Sequence, residues 1–208
     1  MKNILIGLLA SLLIATASFA GQIGIGVSGS FAAVSAEGTE TDKTVTTDTS
    51  VRTANASENA IVPSAFAEYS FDNGFTIGYD YVIGSANVNS RKITRTDDSS
   101  EANQDGDRSA QAEIDNVSTI YAELPIHAGL YLKGGFVQMD VTTQEAFSGT
   151  LSGTYGNATV DGMLFGMGYR NSFGNNGFYK VEGTMTDMDG VKFASSTTDK
   201  GTNISADL

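Results

Sequence analysis

Along "SAFAEYSFDNGFTIGYDYVIGSA", residues 64–86, apolar and polar positions alternate on both sides of Asp72-Asn73-Gly74. Tyr69, Phe71, Phe75, Ile77, Tyr79 and Tyr81 share one face; Glu68, Ser70, Thr76, Gly78 and Asp80 share the other. Period-two alternation broken by turn residues predicts a β-hairpin. A two-residue Asn73-Gly74 turn would set the two apolar sets on opposite faces. A three-residue loop, Asp72-Asn73-Gly74, keeps them together and pairs Phe71 with Phe75, Tyr69 with Ile77 and Ala67 with Tyr79. Gly74 then takes the left-handed position such a loop needs.

The same alternation recurs along the chain. It predicts strands at 21–31, in the two arms of this hairpin, at 116–124, 130–141, 159–170 and 178–187. The strand at 130–141 is uneven. Leu130, Leu132 and Phe136 share one parity, and Val137, Met139 and Val141 do not share it with them. Gly134-Gly135 between them predicts a bulge that switches faces.

Connections separate the strands in a long–short rhythm. The long ones are 32–61, 87–114, 143–157 and 188–203; the others have about three, five and seven residues. In an up-and-down meander all the long connections fall at one end. Outer-membrane barrels have this arrangement, and a soluble sandwich has no physical need for it. The long segments are rich in Ser, Thr, Asp and Asn, and the expectation is solvated, mobile loops.

Composition narrows the reading. The 208 residues contain 24 Gly, two Pro, no Cys and no Trp, and the formal charge is −12, which argues against nucleic acid as a partner. Lys2, the apolar run "ILIGLLASLLIATA" (4–17) and Ser18-Phe19-Ala20 have the form of an export signal, with cleavage expected after Ala20. The expected organisation is residues 1–20 as signal peptide and 21–208 as one barrel domain. No later stretch is long and apolar enough for a spanning helix. A membrane location would therefore require a closed β-barrel.

Parity then assigns the interior. Glu68, Asp80, Glu123 and Glu182 share the polar face with Lys133, Arg170 and Lys180, nearly balanced within an acidic chain. Confined charges demand such balance. Register places Glu68 opposite Gly78. Pairing Tyr169 with Tyr179 would set Gly168 opposite Lys180 and Gly166 opposite Glu182. Glycine opposite a long side chain suits the crowded inside of a narrow barrel. The long segments carry 14 acids and eight bases, and Asp115, Asp140, Asp161 and Asp187 add an acidic rim at the loop end. On the apolar face, Phe71, Phe75, Tyr169, Phe173, Phe178 and Tyr179 lie near the short-turn end, with Tyr81 higher, as in an interfacial aromatic girdle.

From Gly21 to about Asp187 the chain resembles the small eight-stranded outer-membrane barrels of the OmpA/OmpX and opacity-protein type. The resemblance implies an all-β, antiparallel, up-and-down transmembrane barrel of the bacterial outer membrane. Its partners would be the bilayer and lipopolysaccharide, with phage or host surface ligands reaching the loops of a monomer. The chain departs from this family in its last strand. Seven full strands are found, and only "ISADL" follows residue 203. Two expectations follow: a chain that stops within or before its eighth strand, or a short closing strand over 198–208.

Little points to catalysis. His127 is the only histidine, expected in the turn 125–129 without a nucleophile beside it. "NQDGD" (103–107) lacks the ligand spacing of a calcium loop. No catalytic residue, metal site or cofactor is expected. The functional expectation is a structural, adhesive or receptor-type surface barrel. A narrow solute channel and a secreted lipocalin-like carrier are the alternatives.

Overall fold

Period-two patterning and abundant Thr, Val, Ile and Tyr favour strands. The computed structural model describes residues 5–12, 21–43, 49–97, 106–147, 155–174, 177–194 and 203–207, and it contains no helix among them. The strands are β1 (Leu5–Leu12), β2 (Gln22–Lys43), β3 (Thr49–Ser70), β4 (Thr76–Val82), β5 (Ala86–Asp97) and β6 (Gly106–His127). They continue as β7 (Leu130–Phe147), β8 (Ala158–Phe173), β9 (Gly177–Met188), β10 (Val191–Ala194) and β11 (Asn203–Asp207). All pairings are antiparallel and belong to one curled, barrel-like sheet. From β2 the ladders run through β3, β4, β6, β7, β8 and β9, and β1 pairs with both β9 and β2. β5 lies beside the outer half of β6, and β10–β11 lies against the outer end of β2.

The apolar run read as the heart of an export signal is thus strand along Leu5–Leu12; the expected cleavage point at Ala20 lies outside the described residues.

The β3–β4 turn has the three-residue form. Ser70 pairs with Thr76, Tyr69 with Ile77 and Glu68 with Gly78. The Phe71 amide donates to the Phe75 carbonyl at 2.8 Å, and Gly74 has φ +82°. The β6–β7 turn is tighter than the five residues expected. His127 pairs with Leu130, leaving Ala128 (φ +49°) and Gly129 (φ +87°) in left-handed conformations. Positive φ at both central positions matches the right-handed twist of a two-residue hairpin. An L-residue there costs about 1–2 kcal/mol, partly offset by glycine's larger unfolded-state entropy. Ala128→Gly should therefore stabilise the fold by roughly 0.5–1 kcal/mol, measured as a shift of the denaturant midpoint in detergent micelles.

Three expectations need correction. The β8–β9 register differs by two: Tyr169 pairs with Val181 and Tyr179 with Asn171, because β8 runs on to Phe173, which pairs with Gly177. Gly168 therefore opposes Glu182, Gly166 opposes Thr184, and Lys180 opposes Arg170. Gly134-Gly135 is not a bulge; its ladders to β6 and β8 are continuous, and the irregularity lies on β6 between Asp115 and Ser118, where Asn116 has φ +51°. Finally, much of the expected loop is strand. β2 and β3 stay paired from Gln22–Ser70 to Lys43–Thr49, and β5 pairs with β6 above Ile114. Polar side chains do not prevent pairing when a neighbouring strand takes up every backbone group. Residues 44–48, 98–105, 148–154 and 195–202, which include most of "NQDGD", lie outside the described residues.

Polarity is inverted relative to a water-soluble sheet. Ile23, Ile25, Ile120, Phe136, Phe165 and Met167 are all more than half exposed, while Glu68, Glu123, Lys180 and Glu182 are buried.

Candidate functional site: buried ion pairs beneath an apolar cluster

Even-numbered residues of β3, β8 and β9 and odd-numbered residues of β6 and β7 face inward, so five strands deliver side chains to the concave side of the curled sheet. Lys180 on β9 is the hub. Its Nζ lies 2.5 Å from both Glu68 Oε2 on β3 and Glu123 Oε1 on β6. Arg170 on β8 donates to the other Glu68 oxygen at 2.6 Å and to Ser70 Oγ at 3.3 Å. Tyr121 donates to Glu68 at 3.1 Å. One level outward, Lys133 on β7 and the Tyr131 hydroxyl hold the two oxygens of Glu182 at 2.8 and 2.5 Å. Lys133 also lies 4.0 Å from the centre of the Tyr121 ring, where the ring's negative face favours a cation.

Six of the seven expected interior charges meet in these ion pairs. Asp80 does not join them directly. It accepts from Ser64 Oγ at 2.7 Å, and Ser64 meets Ser28 at 2.5 Å. Asp80 borders a cavity of about 130 Å³ shared with Ser30, Thr119, Lys133 and Glu182.

Aromatic members went unassigned or misplaced in the sequence. Phe178, expected on the outer girdle, is buried inside with the Arg170 guanidinium 3.9 Å from its ring centre, and Phe66 packs beside it. Tyr131 is also buried. Parity supplied the missing signal: Phe178 lies two residues from Lys180, Phe66 two from Glu68 and Tyr131 two from Lys133.

The small residues opposite these rings set the available width. A Cβ on Gly78 would sit 2.3 Å from the Tyr121 ring, and one on Gly168 would sit 2.4 Å from Tyr131. The tyrosines, rather than the charges alone, occupy the space that glycine leaves. Gly78→Val should cost about 2–3 kcal/mol through overpacking. Gly29→Ala, where nothing lies within 4 Å, should stay within about 0.5 kcal/mol of the parent. Urea unfolding in detergent reads both.

Above the charged layers the interior turns apolar. Met139 and Val141 keep the inward parity of Lys133 and pack with Tyr155, Val160, Val191 and Phe193. β10 supplies the last two, with Asp189-Gly190 intervening between it and β9. These residues form a buried apolar cluster at the outer end. The unevenness of 130–141 is thus a change of interior chemistry with height, not a change of face.

At the rim, beyond the apolar belt, Asp140 accepts from Thr159 at 2.7 Å and from Asn116 at 3.1 Å, and these bonds hold its carboxyl below the ordinary aspartate range. Asp161 accepts from Gln138 at 2.9 Å. Asp115 opposes Asp140 in register, and Asp187 lies opposite Met163. Among the described residues, no cluster of His, Cys, Asp and Glu has the makings of a metal site. His127 is exposed at the β6–β7 turn, at the opposite end from this rim.

The outer surface carries its own order. Around the turn end, Tyr69 meets Phe71 edge-on at 4.8 Å, Phe71 meets Phe75 at 5.7 Å and Tyr169 meets Tyr179 at 6.4 Å. Higher up, the Tyr81 hydroxyl donates to Asn116 at 3.0 Å. Between these levels lies the belt of Ile, Leu, Phe and Met. No family model matches the chain, and no curated protein or solved structure does.

Proposed function

We propose that this chain is a bacterial outer-membrane β-barrel that spans the bilayer without a pore and acts through its outer extensions. The observation that carries the reading is the inverted polarity: linked buried charges inside and a continuous exposed apolar belt outside. In water, each exposed large apolar side chain would forgo about 1.5–3 kcal/mol of burial, and a patch this size marks a lipid or protein contact. Lipid satisfies the whole belt at once. The aromatic pairs at the turn end fit one interface, and the outer end, with Tyr81 and the acidic rim, fits the other.

The blocked interior favours a structural or receptor-type role over conduction. The Glu68–Lys180–Glu123 layer, the Tyr121 and Tyr131 rings and the Met139–Phe193 plug lie in series along the axis. Enzymatic activity forms no part of the proposal. The long β2–β3 and β5–β6 extensions would meet lipopolysaccharide and surface ligands. Fractionation of cells with heat-modifiable gel mobility tests barrel and membrane together. The expected result is recovery in the outer membrane with faster migration before boiling. Full recovery in the soluble fraction would reject the barrel in favour of a secreted carrier, and steady conductance in planar bilayers would reject the plug.

A further inference from the structure

The lane between β2 and β9 is filled from both ends of the chain. From outside, β11 enters antiparallel to β2, with Asp207 opposite Glu37 and Ala206 opposite both Gly38 and Val191. Further in, β1 continues the same lane, with Leu8 opposite Phe31 on β2 and Gly183 on β9. On β2, only six positions separate Glu37 from Phe31. β11 and β1 therefore lie in line along β2, as two parts of one strand's place, running in the same direction.

The inner part is held unevenly. β1 matches β9 over all eight residues from Leu5–Thr186 to Leu12–Tyr179, but matches β2 only at Leu8, Leu9 and Ala10. Its sequence is also nearly uniform in apolarity where the other lanes alternate. Register sets Leu9 across from Glu182 and Ser11 across from Lys180, both buried charges of the interior. A segment alternating polar and apolar residues would suit this lane better. Yet the lane cannot stay empty in a bilayer, since both bordering edges would hold unpaired amides and carbonyls.

We propose that the lane between β2 and β9 is an exchangeable strand seat, held in this chain by its own residues 5–12, for which an alternating segment entering in line with β11 competes. The proposal rests on the membrane-barrel reading above. A membrane-crossing strand needs about 9–11 residues, and the register fixes where each would land. The fifth residue added after Leu208 falls opposite Phe31, the place of Leu8.

The absence of native cysteine makes the test direct. In the full-length chain refolded in detergent, Leu8→Cys and Phe31→Cys should form an intramolecular disulfide, since directly opposed antiparallel residues have suitable Cα spacing. The same chain extended after Leu208 by ten residues of alternating polar and apolar character should lose that bond at least about fivefold, following the lost occupancy of the seat. A cysteine at the fifth added position should then bond to Phe31→Cys. Heat-modifiable protein that forms neither disulfide would overturn the seat, as would dimers in which the two introduced cysteines join different chains. Protein that is soluble and not heat-modifiable would overturn the membrane reading instead, and the two failures are distinct on one gel.

Discussion

Lys180→Met should cost about 3–5 kcal/mol of folding free energy, read as a lower urea midpoint in detergent and loss of the fast-migrating gel form. The ammonium-bearing side chain is 3 % accessible and holds oxygens of two carboxylates whose side chains are 0 % and 3 % accessible. Methionine keeps the volume and removes the charge. Glu68 retains Arg170 and Tyr121, but Glu123 loses its cation in a space that already holds four acids against three bases. Removing one member of a buried pair leaves an uncompensated charge, which costs far more than the intact pair contributes. Adding Glu123→Gln to Lys180→Met should therefore recover most of the loss. Arg170→Met should cost less, about 1–2 kcal/mol, because its side chain is 21 % accessible and faces the open turn end. If Lys180→Met alone were neutral, the ion-pair layer would not be holding the strands together.

Much of that layer was legible before any coordinate. Strand parity is a one-bit code, and a charged residue in an alternating run declares its face. Glu68, Asp80, Glu123, Lys133, Arg170, Lys180 and Glu182 can be named from the sequence on that basis alone. Their partners cannot. Whether Lys133 on β7 reaches Glu182 on β9 or Glu123 on β6 depends on the register between strands, and a two-residue error at the β8–β9 turn is enough to change the facing pairs. The aromatic residues show a different limit. Phe178 has inward parity, but hydrophobicity argued for the outer face, and the stronger local cue misled; Phe66, of the same inward parity, was assigned to neither face. Arg170 resolves the conflict by stacking on Phe178, a contact that composition does not encode. The long connections failed for a third reason. Thr-rich polar segments carry weak hydrophobic periodicity, so only the paired backbone reveals β2–β3 as continuous strand to Lys43 and Thr49. The β1 lane was least legible of all, since a uniform apolar run carries no parity.

Phe136→Arg reads the solvent outside the sheet by the size of its effect. Phe136 is 67 % exposed and points outward from the middle of β7, with Ile120 and Met163 directly opposite on the two neighbouring strands. If this face met water, the change would remove exposed apolar area and cost no more than about 0.5 kcal/mol. In a bilayer, arginine near the midplane of a barrel costs about 2–4 kcal/mol, falling to about 0–1 near the interfaces. The expected result in liposomes is therefore a large loss for Phe136→Arg and a small one for Tyr169→Arg, which lies in the aromatic pairs of the turn end. Both positions are aromatic strand residues on the outward face, so β-propensity does not separate them; Phe136 is the more exposed of the two, so a larger loss there runs against accessibility and follows depth. Equal and small losses at both would place this face in water, and the charged interior would then need a reason other than lipid outside.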